Sequence, residues 1–199
     1  MMTLDELLLE LTSGDDERAE GAVRSLSGYG EAALDALRSM LASPDVDRRW
    51  WAVRALAEIP GGAAIPFIIQ ALSDEDPAVR QCAALGLCQQ PDIPDDSVAE
   101  VVVPALIEAM ASNDALLARL AANALTCIGA AAVPALLDLL ANSPDPVRLE
   151  AARALALIGD TRAIPALFEA LEDDSALMEY WANEGLERMG VGMVFFQPE

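Results

Sequence analysis

Ala151-Ala152-Arg153-Ala154-Leu155-Ala156-Leu157-Ile158-Gly159-Asp160-Thr161-Arg162-Ala163-Ile164-Pro165-Ala166-Leu167 is the stretch that decides the fold. Ala151 and Leu155 stand about one helical turn apart, and Gly159 follows one turn later as a stop. Pro165 marks the start of a new helix, because the first helical turn has N–H groups without an intrahelical partner and tolerates proline. The stretch is therefore the end of one helix, a turn and the beginning of the next. The same grammar recurs at six anchors, Asp5, Asp35, Pro66, Pro104, Pro134 and Pro165, each preceded by an aliphatic residue and spaced by 30, 31, 38, 30 and 31. Seventeen residues after each anchor stands alanine (Ala22, Ala52, Ala83, Ala121, Ala151, Ala182), and four later leucine (Leu26, Leu56, Leu87, Leu125, Leu155, Leu186). Four further on comes a helix stopper: Gly30, Pro60, Pro91, Gly129, Gly159 or Gly190. A period of this length marks stacked supersecondary units.

Composition agrees with that reading. The 199 residues include 38 Ala and 29 Leu but only 25 Val, Ile and Thr, which favours helix over strand, and 54% apolar content excludes a disordered chain. Each unit reads as helix A, a turn, helix B and a second turn. Val133, Leu136, Leu137 and Leu140 give helix A its buried stripe, and the small Ala of helix B lets neighbouring axes approach closely. The expected fold is all-α, a right-handed α-solenoid (α-α superhelix) of six helical hairpins in a single domain over 1–199. The repeats fall at approximately 4–30, 31–61, 62–97, 98–129, 130–160 and 161–192, with a tail at 193–199. The one irregular spacing lies at the connector 89–97, with Pro91, Asp92, Pro94, Asp95 and Asp96, which is either a tolerated insertion or a binding loop. Met193, Val194, Phe195 and Phe196 in the tail either cover the last hydrophobic face or dock on another chain.

Charge and residue content exclude several functions. Thirty-three acids against twelve bases, all Arg, give a net charge of −21, which repels phosphate and argues against nucleic acid. With no His and no CxxC pair, neither a zinc site nor a redox motif has its ligands, and Ser-His-Asp or Cys-His catalysis is impossible. The expectation is a protein that is not an enzyme, with no catalytic residue, cofactor or metal. Asp5 and Glu6 stand where a signal peptide needs positive charge, so a cytoplasmic location is expected. The uncharged run Leu120 to Leu137 contains Asn123, Thr126, Gly129 and Pro134 and reads as two helix halves around a turn, so no membrane partner is expected. Three of the four acidic clusters, Asp15-Asp16-Glu17, Asp74-Glu75-Asp76 and Asp173-Asp174, fall at A–B turns and read as caps of helix B; Asp95-Asp96 lies in the connector.

Positions fifteen, nineteen and twenty-two after each anchor lie opposite the buried face of helix B and should line a concave groove. The candidates for partner binding there are Arg24, Trp50, Arg54, Gln81, Leu85, Arg119, Asn123, Arg153, Tyr180 and Glu184; position twenty-two includes Ala57 and Ala156. Arg, Trp and Tyr carry much of the energy at interfaces, so the strip suits a protein or peptide partner; alternatively it is a solvated face whose arginines pair with neighbouring carboxylates. Trp51 and Trp181 share a register on the shoulder between groove and core, where each either packs between repeats or grips a ligand, packing being the favoured reading.

The opening stretch, with Asp76-Pro77-Ala78-Val79-Arg80 and Ala63-Ala64-Ile65-Pro66, resembles the HEAT-like repeats named after phycobilisome lyases. The resemblance implies helix A on the convex side, helix B on the concave side, and an inter-repeat ladder of Asp and Arg at the A–B turns. That ladder would carry over to Asp76 with Arg80, Asp145 with Arg148, and Asp45 or Asp47 with Arg49. Repeats one, four and six depart from it, with Arg18 a position early, Arg119 a position late and Glu179 in place of Arg. By function the resemblance points to an interaction scaffold or adaptor, or alternatively to a bilin lyase-like or chaperone subunit that binds a tetrapyrrole or a phycobiliprotein.

Overall fold

The computed structural model describes residues 2–90 and 96–191, and all of its regular elements are helical. The six hairpins are α1 (Leu4–Leu11) with α2 (Asp16–Leu26), α3 (Leu34–Leu41) with α4 (Val46–Ala57), α5 (Ile65–Ala71) with α6 (Pro77–Gln89), α7 (Asp96–Met110) with α8 (Ala115–Ile128), α9 (Val133–Asn142) with α10 (Asp145–Ile158), and α11 (Ile164–Ala170) with α12 (Ala176–Arg188). The chain divides into two compact units, Met1–Ala124 and Leu125–Glu199. Pro91 to Asp95 of the connector, and Met193 to Phe196 with the rest of the tail beyond Val191, lie outside the described residues.

Within the first unit α1 packs on α2, α3 on α4 and α5 on α6, while the second helices contact one another, α2 on α4 and α4 on α6. In the second unit α9 packs on α10, α11 on α12, and α10 on α12. The recurring Ala and Leu of helix B make this possible: all twelve, from Ala22 and Leu26 to Ala182 and Leu186, are buried. Acids at the A–B turns start the second helices. Asp15 accepts from the N–H groups of Glu17 and Arg18, Asp45 from Asp47, Asp76 from Ala78, and Asp114 from Leu116 and Leu117. Each carboxylate fills orphan donors and faces the positive end of the helix dipole.

The first helices start differently. α3, α5, α9 and α11 have alanine at the N-cap with no side-chain cap, and α5, α9 and α11 carry proline in the first turn. The anchor Pro104 departs from the expectation that a helix begins there. It lies inside α7, which starts at Asp96, so part of the extra spacing between repeats three and four is helix rather than loop. Gly129 at φ 74° ends α8 and breaks the apolar stretch Ala115–Asn142, which by length and composition could otherwise pass for a membrane span, into the two helices read from the sequence.

Close approach between second helices is set by glycine. A Cβ at Gly86 would meet the Cβ of Ala57 at 2.9 Å, and one at Gly185 would meet the Cα of Ala156 at 2.9 Å and Leu167 Cδ1 at 2.8 Å. Gly86 and Gly185 share a register, twenty after their anchors, and Ala57 and Ala156 both stand at position twenty-two. Ala57 and Ala156 are buried in these contacts, so in these two hairpins position twenty-two faces the next hairpin rather than a groove, whereas Glu187 at the same position is exposed. Gln90 closes the end of α4 from the neighbouring hairpin, its Nε2 donating to the carbonyls of Ala57 at 2.7 Å and Leu56 at 3.3 Å.

Glycine-to-alanine substitutions should therefore act with opposite signs. Gly21 lies in α2 with nothing within 4 Å of an added Cβ, so Gly21→Ala should stabilise by about 0.5–1 kcal/mol through helix propensity alone. Gly86→Ala and Gly185→Ala should each destabilise by about 1–3 kcal/mol through overpacking, the second more because it strikes backbone. Urea denaturation of the three variants measures this, and a stabilising Gly86→Ala would contradict the close approach.

Candidate partner-binding face

In the first unit the strip of the second helices begins with Arg24, which is exposed and makes no ion pair among the described residues. Trp50 is half-buried at the start of α4 and stands edge-to-face with Trp51, ring centroids 4.8 Å apart at 88°. Arg54 is half-buried and held on two sides, by Glu20 of α2 at 3.1 Å and Glu58 at 2.7 Å. Gln81 donates to Asp114 Oδ2 at 3.0 Å, which binds the side chain at the start of α6 to the cap of α8. Leu85 projects outward, 48% exposed. Arg119 is exposed on α8 and Asn123 is half-buried.

In the second unit Tyr180 is 54% exposed and stands edge-to-face with Trp181 at 5.1 Å, repeating the Trp50–Trp51 arrangement in the same register. Glu184 is half-buried and accepts from Arg188 at 2.7 Å. Arg153 corrects the sequence expectation: it is only 7% exposed, with Nε 2.9 Å from Glu150, so it is not a free contact for a partner. The strip thus combines both alternatives read from the sequence. Arg54 and Arg153 pair with carboxylates, while Arg24, Leu85 and Tyr180 face outward.

The arginine one position before these residues builds a ladder between hairpins. Arg49, 5% exposed, reaches Asp74 of the next hairpin at 2.8 Å and Glu75 at 3.2 Å, and donates to the carbonyl of Ser43. Arg80 donates to the carbonyls of Asp74 and Glu75 and approaches Asp114 at 3.8 Å, and Arg148 reaches Asp173 at 2.7 Å. Of the own-turn pairs implied by the resemblance, Asp145 with Arg148 is made at 3.1 Å. Asp76 and Asp45 instead cap their helices, and the arginines bind the acid one hairpin further on. In the departing first repeat, Arg18 pairs with Glu10 of its own hairpin.

These contacts set the ionisation of the acids. Partial burial pushes Asp74 up, but hydrogen bonds from Arg49 and from the N–H of Asp76, with the charges of Arg49 and Arg80, outweigh it and hold the carboxyl below its ordinary range. Asp173 is lowered by the N–H of Ser175 and by Arg148. Asp160, beside Arg162, is held at about 2. Burial pushes the free Cys82 thiol up to about 12, which leaves it protonated and unreactive at neutral pH. Among the described residues no group of three His, Cys, Asp or Glu side chains could hold a metal ion. Asp15, Asp45, Asp76 and Asp114 have structural work as caps, and Asp74 and Asp173 as ladder partners.

The HEAT-repeat family model matches residues 34–126 and 103–187. The chain belongs to the HEAT-repeat family. Solved structures extend the likeness across most of its length. An engineered protein is 26% identical with a TM-score of 0.55, covering 96% of this chain and 98% of its own. YibA of Escherichia coli is 21% identical with a TM-score of 0.65, covering 93% and 70%. The complex of CpcE and CpcF of phycocyanin lyase from Nostoc sp. PCC7120 is 21% identical with a TM-score of 0.60, covering 76% and 96%. No curated protein matches the chain. The HEAT hairpins and their neighbours put the chain in the all-α solenoid class expected from the repeat, a repeat scaffold.

The ladder should appear in the pH dependence of stability. Asp74 and Asp173 have lowered folded values, so their contribution is fully present above the unfolded carboxylate value of about 3.9 and is lost as pH falls through the lower folded values. Wild type should lose stability steeply below about pH 4, and Asp74→Asn should be weaker at neutral pH with a shallower acid loss. Arg49→Ala should cost about 1–3 kcal/mol at pH 7. Urea titrations across pH test both, and parallel acid profiles for wild type and Asp74→Asn would contradict the assignment.

Proposed function

We propose that this chain is a non-enzymatic scaffold or adaptor that holds a protein or peptide partner along the exposed side of its second helices. The observation that carries the reading is the outward placement of large apolar side chains on that strip. Leu85 and Tyr180 stand where a merely solvated helix face would carry polar residues, with Arg24 exposed in the register of Leu85. Aromatic, apolar and arginine side chains are the groups from which protein interfaces draw most of their energy. The likeness to a phycocyanin lyase complex of two chains agrees with a protein partner at the level of fold. The tetrapyrrole alternative needs arginines able to meet propionates. Arg54 is already held by Glu20 and Glu58, and Arg153 lies buried against Glu150, which favours the protein reading. The net charge of −21 argues against nucleic acid as the partner.

Site-directed photo-crosslinking tests the face. A benzophenone amino acid at Leu85 or Tyr180 on the second helices should capture a defined partner in the native cell. The same group at exposed Leu9 or Val101 on first helices should not. Equal capture from both sets, or capture from Leu9 and Val101 alone, rejects the second-helix face.

A further inference from the structure

A depression of about 540 Å³ opens at the edge of the same strip in the first unit, between the α1–α2 turn, α2 and the beginning of α4. Its lining includes Trp50 and Trp51 with Asp16, Glu20, Asp45 and Asp47. That volume lies in the range of pockets that take a small organic group or a long side chain. The two indoles meet edge-to-face and are half-buried, which fixes them as a rigid aromatic corner still open to solvent.

The carboxylates around that corner are not equivalent. Asp45 accepts the N–H of Asp47 as the cap of α4, and Glu20 is engaged by Arg54. Asp16 and Asp47 are exposed and make no ion pair among the described residues. Arg48, also exposed, is the single basic residue of the lining. Four carboxylates against one guanidinium, in a molecule of net charge −21, disfavour an anion in this depression. Aromatic faces attract cations through their quadrupole, most strongly for tryptophan, and nearby carboxylates add Coulomb attraction.

We propose that the Trp50–Trp51 depression receives a lysine or arginine side chain from an extended basic segment of a protein partner. Glu20 and Trp50 occupy position fifteen of the strip, so a segment lying along the second helices passes over the depression. The alkyl stem packs on the indoles and the cationic head lies among Asp16, Asp47 and Glu20. The proposal rests on the partner-binding reading above and names the chemistry of the partner.

The test uses the full chain and a fluorescein-labelled octapeptide of alternating Lys and Arg, followed by anisotropy and tryptophan emission across salt concentration. Binding should be saturable and shift tryptophan emission. Trp50→Ala should weaken it about ten-fold, with Trp50→Phe intermediate. Asp16→Asn with Asp47→Asn should weaken it by a similar factor and flatten the salt dependence. Glu31→Gln with Asp35→Asn, exposed acids away from the depression that remove the same charge, should leave affinity unchanged. Circular dichroism shows which variants remain folded, and the exposed Asp pair keeps the test open should Trp50→Ala unfold.

Three results would overturn the proposal. One is no binding up to about 1 mM peptide. Another is equal weakening by the control acids, the mark of diffuse attraction to an acidic surface. The third is displacement by spermidine at matched charge as effective as by unlabelled peptide, which would identify a small-cation site. A partner captured at Leu85 and Tyr180 that still binds the Asp16→Asn/Asp47→Asn variant would leave the scaffold reading standing and remove this one.

Discussion

Gly86 against Ala57 and Gly185 against Ala156 place one helix so near the next that there is no room for a further carbon atom. This approach brings second helices into direct contact, α4 with α6 and α10 with α12, and puts the recurring Ala and Leu in the core. It also brings the A–B turns of successive hairpins within reach of each other. Arg49 can then span to Asp74, and Arg148 to Asp173. Small residues at the crossing and long charged ones at the edge are two parts of one geometry. The first sets the helix separation and the second fixes register, because a guanidinium satisfied by a fixed carboxylate and a backbone carbonyl tolerates little sliding.

The ladder changes the meaning of the charge balance. Only twelve arginines face 33 acids, and Arg49, Arg54, Arg80, Arg148 and Arg153 are committed to ion pairs within the fold. Cations that sequence inspection places in a groove are therefore partly structural, and the surface left to a partner is more acidic than the strip suggests. Caps act in the same direction: Asp15, Asp45, Asp76 and Asp114 accept helix N–H groups without being neutralised by them.

The hairpins were legible because burial within a hairpin leaves a periodic trace. Ala at seventeen and Leu at twenty-one after each anchor recur without exception, and all are buried. Contacts between hairpins leave a weaker trace. A single helical wheel knows only its own partner and places Ala57 and Ala156 toward a groove, whereas both are covered by the next second helix. The signal that could have found this was the glycine at position twenty in Gly86 and Gly185, two small residues waiting for a neighbour. Arg153 stands apart for a related reason: in a run of alanines its one nearby carboxylate is Glu150, one turn back, which pairs with it at 2.9 Å and leaves it buried. By analogy with the other prolines Pro104 reads as a helix start, whereas it lies inside α7. A proline removes one backbone donor but does not forbid residues ahead of it from continuing the helix when that donor's loss is local.

The aromatic pairs show how repetition yields a site without repeating it. Trp50–Trp51 and Tyr180–Trp181 occupy one register and adopt the same edge-to-face packing, so the fold offers that position to aromatic residues wherever the next residue fills the shoulder. The surroundings then differ by single substitutions that the hairpin tolerates. In the second hairpin Asp45 at the cap and Asp47 in the first turn of α4, with Asp16 and Glu20 of α2, enclose the pair in carboxylates. In the sixth, the first member is a phenol, exposed beside Trp181 on a helix that ends its ladder with Glu179 in place of arginine. Register is a property of the backbone and charge a property of the turns, so specificity can change at one hairpin while the packing of its neighbours stays the same.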